Sequence, residues 1–196
     1  MRILAIEPYY GGSHWSFLDG WMRHSRHEFD LLTMPARKWK WRMRGAAVEI
    51  AERVSGMEGG WDAVFASDFL DLAAFVGMLP RLAVDTPLVA YFHENQLTYP
   101  VQVEDERDYQ FGFTNLTTCL TADRVLFNSA YNRDSFLDAV AGLLARMPDE
   151  VPEWAPLRVK ERSQVVPVGV DFSALDQALT KAEPQTGPLR ILWNHR

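Results

Sequence analysis

Four stretches of the sequence carry residue types that could do chemistry. "IEPYYGGSHWSF" runs a short apolar segment into Gly11 and Gly12 and then presents Ser13 and His14 beside two tyrosines. "FHENQLTYP" sets His93, Glu94, Asn95 and Gln96 side by side, with Tyr99 close behind. "FNSAYN" brings Asn128 and Ser129 directly after another apolar run. "RKWKWRMR" interleaves Arg37, Lys38, Lys40, Arg42 and Arg44 with Trp39 and Trp41.

Each stretch has a chemical reading and a plainer one. A glycine pair after a strand lets backbone N–H groups meet a phosphate or diphosphate, or simply makes a tight strand-to-helix turn. The full dinucleotide fingerprint is absent, so the pair alone does not decide. Ser13 and His14 are adjacent on one turn and no G-x-S-x-G elbow occurs, which excludes a serine-hydrolase reading. The consecutive hydrogen-bonding side chains from His93 exceed what a helix cap uses, although Asn95 alone could be one, and they suit a polyhydroxylated ligand. His93 has no second ligand at metal-site spacing in the sequence, so no metal is expected. In "RKWKWRMR" the cations could meet phosphates while the rings stack on bases. It could equally be a solvated basic turn with inward tryptophans.

These groups must be positioned by regular elements, and the hydrophobic periodicity supplies them. Strands are expected at "RILAIE", "EFDLLTM", "WDAVFAS", "PLVAYF", "RVLFNS" and "QVVPVGV". Helices are expected at "AAVEIAERV", "FLDLAAFVGML", "DYQFGFTNLTTCLTA" and "AYNRDSFLDAVAGLLARM". Residues 147–163, with three prolines, read as a surface excursion. The alternation predicts an α/β fold, a Rossmann-like doubly wound parallel sheet with helices on both faces. Ligands bind such sheets at the carboxyl ends of strands, where the glycines, "FHENQ" and "FNSAYN" all fall.

Bulk properties bound the rest. At 196 residues, 47% hydrophobic and 23% charged, the chain can bury a core. The net charge of −6 argues against a surface that coats nucleic acid generally. Five of the 20 basic residues nevertheless fall between Arg37 and Arg44, leaving 15 against 26 acidic ones elsewhere. The single cysteine, Cys119, excludes a disulfide framework and reads as a small buried residue. "MRILAIEP" is too short for a secretory signal and no segment has the length of a membrane span. A soluble, cytoplasmic chain is expected. No D-x-D pair occurs, and Glu153 and Glu161, spaced as E-x7-E, flank Pro156 by coincidence. "KAEPQTGPL" followed by "RILWNH" reads as a linker entering another strand, the mark of a longer protein.

Taken in order, "IEPYYGGSH", "PARKWKWRMR", "LVAYFHENQLTYP", "ERDYQFGFTN", "VLFNSAYNRDSF", "VVPVGVDF" and "ILWNHR" resemble the N-terminal half of the tRNA-queuosine α-mannosyltransferases, glycosyltransferases of the GT-B fold. The resemblance runs from residue 1 to 196. It implies an acceptor-side Rossmann-like domain over 1–182, with 183–196 as linker and first strand of a truncated C-terminal domain. It implies retaining transfer of mannose from GDP-mannose to queuosine in the tRNA anticodon loop, without a metal. On that analogy Gly11, Gly12, Ser13, His14, Asn128 and Ser129 would face the donor, and His93 and Glu94 the reacting sugar and acceptor. The tRNA would meet Arg37, Lys38, Trp39, Lys40, Trp41, Arg42, Arg44, Asn95, Gln96 and Tyr99. Two rivals stay open: the same fold acting on a lipid or small-molecule acceptor, and a non-catalytic RNA- or nucleotide-binding module.

Overall fold

The computed structural model describes residues 1–80, 82, 86–101, 108–180, 187, 188 and 193. The expected linker and strand at 183–196 therefore lie almost wholly outside the described residues. In chain order the elements are β1 (Arg2–Tyr10), α1 (Gly12–His24), β2 (Glu28–Pro35), α2 (Trp39–Ser55), β3 (Ala63–Ser67), α3 (Leu72–Met78) and β4 (Leu88–Phe92). They continue with α4 (Tyr109–Thr121), β5 (Arg124–Phe127), α5 (Ala130–Leu144), α6 (Ala155–Arg162), β6 (Ser163–Val165) and α7 (Ser173–Thr180).

The strands form one six-stranded sheet in the order β2-β1-β3-β4-β5-β6, parallel throughout. Side chains alternate strictly between its faces, as the pleat requires. Leu4, Ile6, Val64, Ala66, Ala90, Phe92, Val125 and Phe127 enter the main core with α2 to α6. Ile3, Phe65 and Tyr91 point the other way, onto Leu18, Phe17 and Trp21 of α1. Helices thus lie on both faces, five against one among the described residues that pack on the sheet. Beyond α1 the second face borders an apolar groove of about 1220 Å³, walled by residues 166–172.

Side-chain caps set several helix starts, each satisfying an N–H that the first turn leaves free. Asp71 accepts from Ala74 N at 3.0 Å, Asp108 from Gln110 N at 2.9 Å and Ser129 from Asn132 N at 3.1 Å. Two expectations are corrected. The stretch 147–163 is not only a surface excursion, because it contains α6, whose Ala155 and Val159 are fully buried. Pro156 sits in the first turn of that helix, where its missing N–H costs nothing. The sixth strand is also shorter than "QVVPVGV": it ends at Val165, and Pro167 has no N–H with which to continue the ladder.

Candidate active site at the topological switch point

The chain moves outward from β1 to β2 and then returns to place β3 on the other side of β1. The crevice beyond the carboxyl ends of β1 and β3 is therefore the switch point of the sheet. Glu7 stands there on β1, and Ser67 ends β3 with Asp68 directly after it. Pro8 and Tyr9 fall where the β1–β2 register slips, between Glu7↔Thr33 and Tyr10↔Pro35. That irregularity frees Tyr9 N–H to donate to Glu7 Oε1 at 2.8 Å. Ser67 Oγ donates to the same oxygen at 2.9 Å.

The other carboxylate oxygen of Glu7 lies 3.0 Å from His14 Nδ1. Glu7 has no solvent exposure and His14 only 5%. His14 follows the glycine pair on the first turn of α1 and is held edge-on by Tyr9 and Phe69. Its ring centroid is 4.1 Å from that of His93, which follows β4. His93 is fixed from both ends of its backbone. Its N–H donates to Asp68 Oδ1 at 3.0 Å and its carbonyl accepts from Asn128 Nδ2 at 2.7 Å. Phe17 and Tyr91 stand edge-on to its ring.

Burial and this packing separate the two imidazoles electrically. Burial alone would lower the His14 pKa, but the hydrogen bond and charge of Glu7, with Asp68 and Glu94 adding, carry it up to about 9. Burial and then the charge of His14 push His93 down to about 3. Burial drives Asp68 up to about 8, against the pull of His14. Asp68 Oδ2 is buried without a hydrogen-bond partner, as a protonated acid tolerates better than a carboxylate. At neutral pH the pair is thus one imidazolium beside one neutral ring.

Ligand atoms of Glu7, His14 and His93 lie within 4.8 Å of one another, a proximity that sequence spacing does not reveal. Both Glu7 oxygens take part in hydrogen bonds, and with His14 they form a buried carboxylate–imidazole pair.

In front of it opens a cleft of about 670 Å³. Gly11, Gly12, Ser13 and His14 line one side, Trp39, Lys40, Phe69 and Phe111 another, and Glu94, Gln96, Tyr99 and Asp108 its rim. His93, half-buried against the His14 ring, is not among the residues that line this cleft. The structure thus gathers Gly11 to His14, Trp39, Lys40, Glu94, Gln96 and Tyr99 into one place.

Other expected ligand residues are instead committed to the scaffold. Asn95, 2% exposed, holds its own turn: Oδ1 accepts from Leu97 N and Thr98 N, and Nδ2 donates to Thr98 Oγ1 and Asn132 Oδ1. Asn128 supports His93 and accepts from Asn132 Nδ2, while Ser129 caps α5; neither lines the cleft. Arg42 is buried and its Nε donates to Pro35 O at 3.1 Å. The cause is helical geometry, since α2 begins at Trp39 and turns its fourth residue inward with Met43. Arg37, Lys38, Lys40, Trp41 and Arg44 stay exposed. Trp41 lies along the helix over Gly45, Lys40 sits over Trp39 and Arg44 over Phe111. Cys119 is buried in the main core, which raises its thiol pKa well above the ordinary value, as expected of an inert residue. Among the described residues no helix is long and apolar enough to cross a membrane.

Glu7 and Asp68 were not among the residues expected at the site. A carboxylate inside an apolar strand, just before a proline at the strand's carboxyl end, is the trace that Glu7 leaves in the sequence.

The family model described as "tRNA-queuosine alpha-mannosyltransferase N-terminal" matches residues 2–170. A Drosophila melanogaster protein named tRNA-queuosine alpha-mannosyltransferase is 36% identical over 202 residues, an alignment covering 100% of this chain and 53% of that relative. The chain thus spans about half the length of the relative it matches, and it belongs to the tRNA-queuosine alpha-mannosyltransferase N-terminal family.

Proposed function

We propose that the protein containing this chain transfers mannose from GDP-mannose to a hydroxyl of queuosine in a tRNA anticodon loop, with retention at the anomeric carbon. Residues 1–182 form the acceptor-side domain of a GT-B enzyme working in the cytoplasm, and 183–196 lead into the domain that holds most of the nucleotide-sugar. The observation that carries this reading is the switch-point cleft with its paired imidazoles, found in a member of this family. In the reaction the bond from the anomeric carbon to the diphosphate oxygen breaks and a bond to the queuosine hydroxyl forms. The hydroxyl proton leaves with the diphosphate.

The residues of this chain then have separable tasks. Gly11 and Gly12 bring backbone N–H groups toward the diphosphate, where charge develops as it departs. His14 supplies a fixed positive charge beside them. His93, a neutral ring, meets the sugar as hydrogen-bond partner, and Glu94 orients the acceptor hydroxyl from the rim. No protein nucleophile is invoked and no metal takes part. The test is incubation of the protein with GDP-mannose and queuosine-containing tRNA, then nucleoside mass spectrometry. Queuosine gaining one hexose is expected. Release of GDP without that product would remove the tRNA acceptor and turn the search to lipids and small metabolites.

The exposed cations flank this cleft, and they are the proposed grip on the anticodon arm. Replacing Lys38, Lys40 and Arg44 with alanine is expected to weaken tRNA binding and flatten its salt dependence, with the melting temperature unchanged. Arg42→Ala should do the reverse: Pro35 O keeps the Arg37 N–H, but the charged hydrogen bond and the packing of a buried side chain are lost, which destabilises the fold by about 1–3 kcal/mol. Filter binding at several salt concentrations, with a melt of each variant, separates the two roles. Equal affinity of the triple variant would take the tRNA away from this surface.

A further inference from the structure

We propose that Glu7, which does not itself line the cleft, is the positioning residue that holds His14 as a fixed cation there and thereby controls the binding of diphosphate-bearing ligands. The inference rests on the reading above only in taking the anion to be a sugar-nucleotide diphosphate.

The geometry leaves His14 one free task. Its Nδ1 is spent on Glu7, and Tyr9, Phe69 and His93 fix the plane of the ring. Nε2 has no hydrogen-bond partner among the described residues, yet the residue lines the cleft. Beside it starts α1, a helix of 13 residues. Gly11 makes no side-chain cap there and no acidic residue occupies the first turn. The N–H groups of Gly12 and Ser13 precede the first helical hydrogen bond, Trp15 N to Gly11 O. Free N–H groups, the positive end of a helix and an imidazolium thus converge on one wall.

Every element packed on His14 favours its charge or leaves it alone. From β1 come Glu7 and Tyr9, from the end of β3 Asp68, and from the loop after β4 His93 and Glu94. Glu7 is the one that touches it with a hydrogen bond, and the hydrogen bonds from Tyr9 N and Ser67 Oγ keep that carboxylate from swinging away. With glutamine in its place the shape remains but the charge goes: the one oxygen left serves Tyr9 N and Ser67 Oγ, and the amide N–H turned to His14 Nδ1 favours a neutral ring. The His14 pKa then falls, because the largest influence opposing burial is gone and only the charges of Asp68 and Glu94 still oppose it.

The test uses dimethyl pyrophosphate, a diphosphate diester whose own charge is constant across the working range. Its affinity is measured by calorimetry between about pH 6 and pH 10, and the His14 ring is followed by NMR. The wild-type protein should bind it evenly up to about pH 8 and lose it in step with His14 near pH 9. Glu7→Gln should bind about tenfold or more weakly at neutral pH, the size of one lost charge-assisted hydrogen bond. It should recover on acidification as His14 regains its proton. Wild-type affinity that falls near pH 6.5, or a Glu7→Gln variant that binds equally at neutral pH, overturns the proposal. So does a wild-type protein that binds no probe at any pH, whatever the transfer assay shows. If the variant does not fold, the wild-type pH series and the His14 titration decide alone.

Discussion

Gly11→Ala is expected to lower stability by about 1–3 kcal/mol, while Gly12→Ala costs about 1 kcal/mol, and for a different reason. A methyl group at Gly11 would stand 2.5 Å from Ala36 Cβ. Both carbons are bonded directly to backbone, so no rotamer relieves the contact. The turn after β1 and the segment after β2 would have to part. The φ of Gly11 is −178°, extended backbone that any residue adopts, so the demand there is purely for space. Gly12 is the opposite case. Its φ is +54° and nothing lies within 4 Å of an added carbon, so its demand is purely conformational. Urea unfolding of both variants checks this, and Gly11→Ala unfolding at the wild-type midpoint would contradict it. Gly11→Ala should also weaken function beyond its stability cost, because Ala36 and Gly11 both line the cleft, with Trp39 and Lys40 close behind.

The glycine pair shows where sequence reasoning stops. Two adjacent glycines announce that something approaches or turns, but only the fold shows that one does each, and that the approaching group is Ala36. Strands β1 to β5 were legible within a few residues because buried strands of a parallel sheet read as short apolar runs. Helix α1 was not, since Gly12 and Gly20 weaken its local propensity and its burial against Phe65 and Tyr91 is a tertiary matter. At the site His14 and His93 stood out as unusual residues at strand ends. Their partners did not, because Glu7 meets Ser67 across 60 residues and His93 meets Asp68 across 25. Asn95, Asn128, Ser129 and Arg42 show the converse. A polar residue near a strand end looks the same in sequence whether it faces a ligand or holds the loop that does.

The same buried groups make stability depend on pH in a direction that can be worked out. His14 is raised from 6.5 to about 9. Its contribution is fully present below pH 6.5, where both states are protonated, and is lost as pH climbs through 9. Asp68, raised from 3.8 to about 8, acts with the same sign, since the folded state keeps a proton that the unfolded chain has released. His93, lowered from 6.5 to about 3, acts oppositely and only on the acid side, where the unfolded chain gains a proton that the folded one refuses. Below pH 6.5 the terms of Asp68 and His93 therefore oppose each other. Between pH 6.5 and 9 His14 and Asp68 act together, and the loss should be on the order of 5 kcal/mol. Urea midpoints at pH 6.5, 8 and 9.5 measure it. The fall should persist at high salt, because buried charges are little screened. His14→Gln should remove much of the slope, leaving the part that belongs to Asp68. A wild-type curve that is flat or rising across this window would mean that the imidazole beside Glu7 is neutral, and the cleft would then have no fixed cation at its wall.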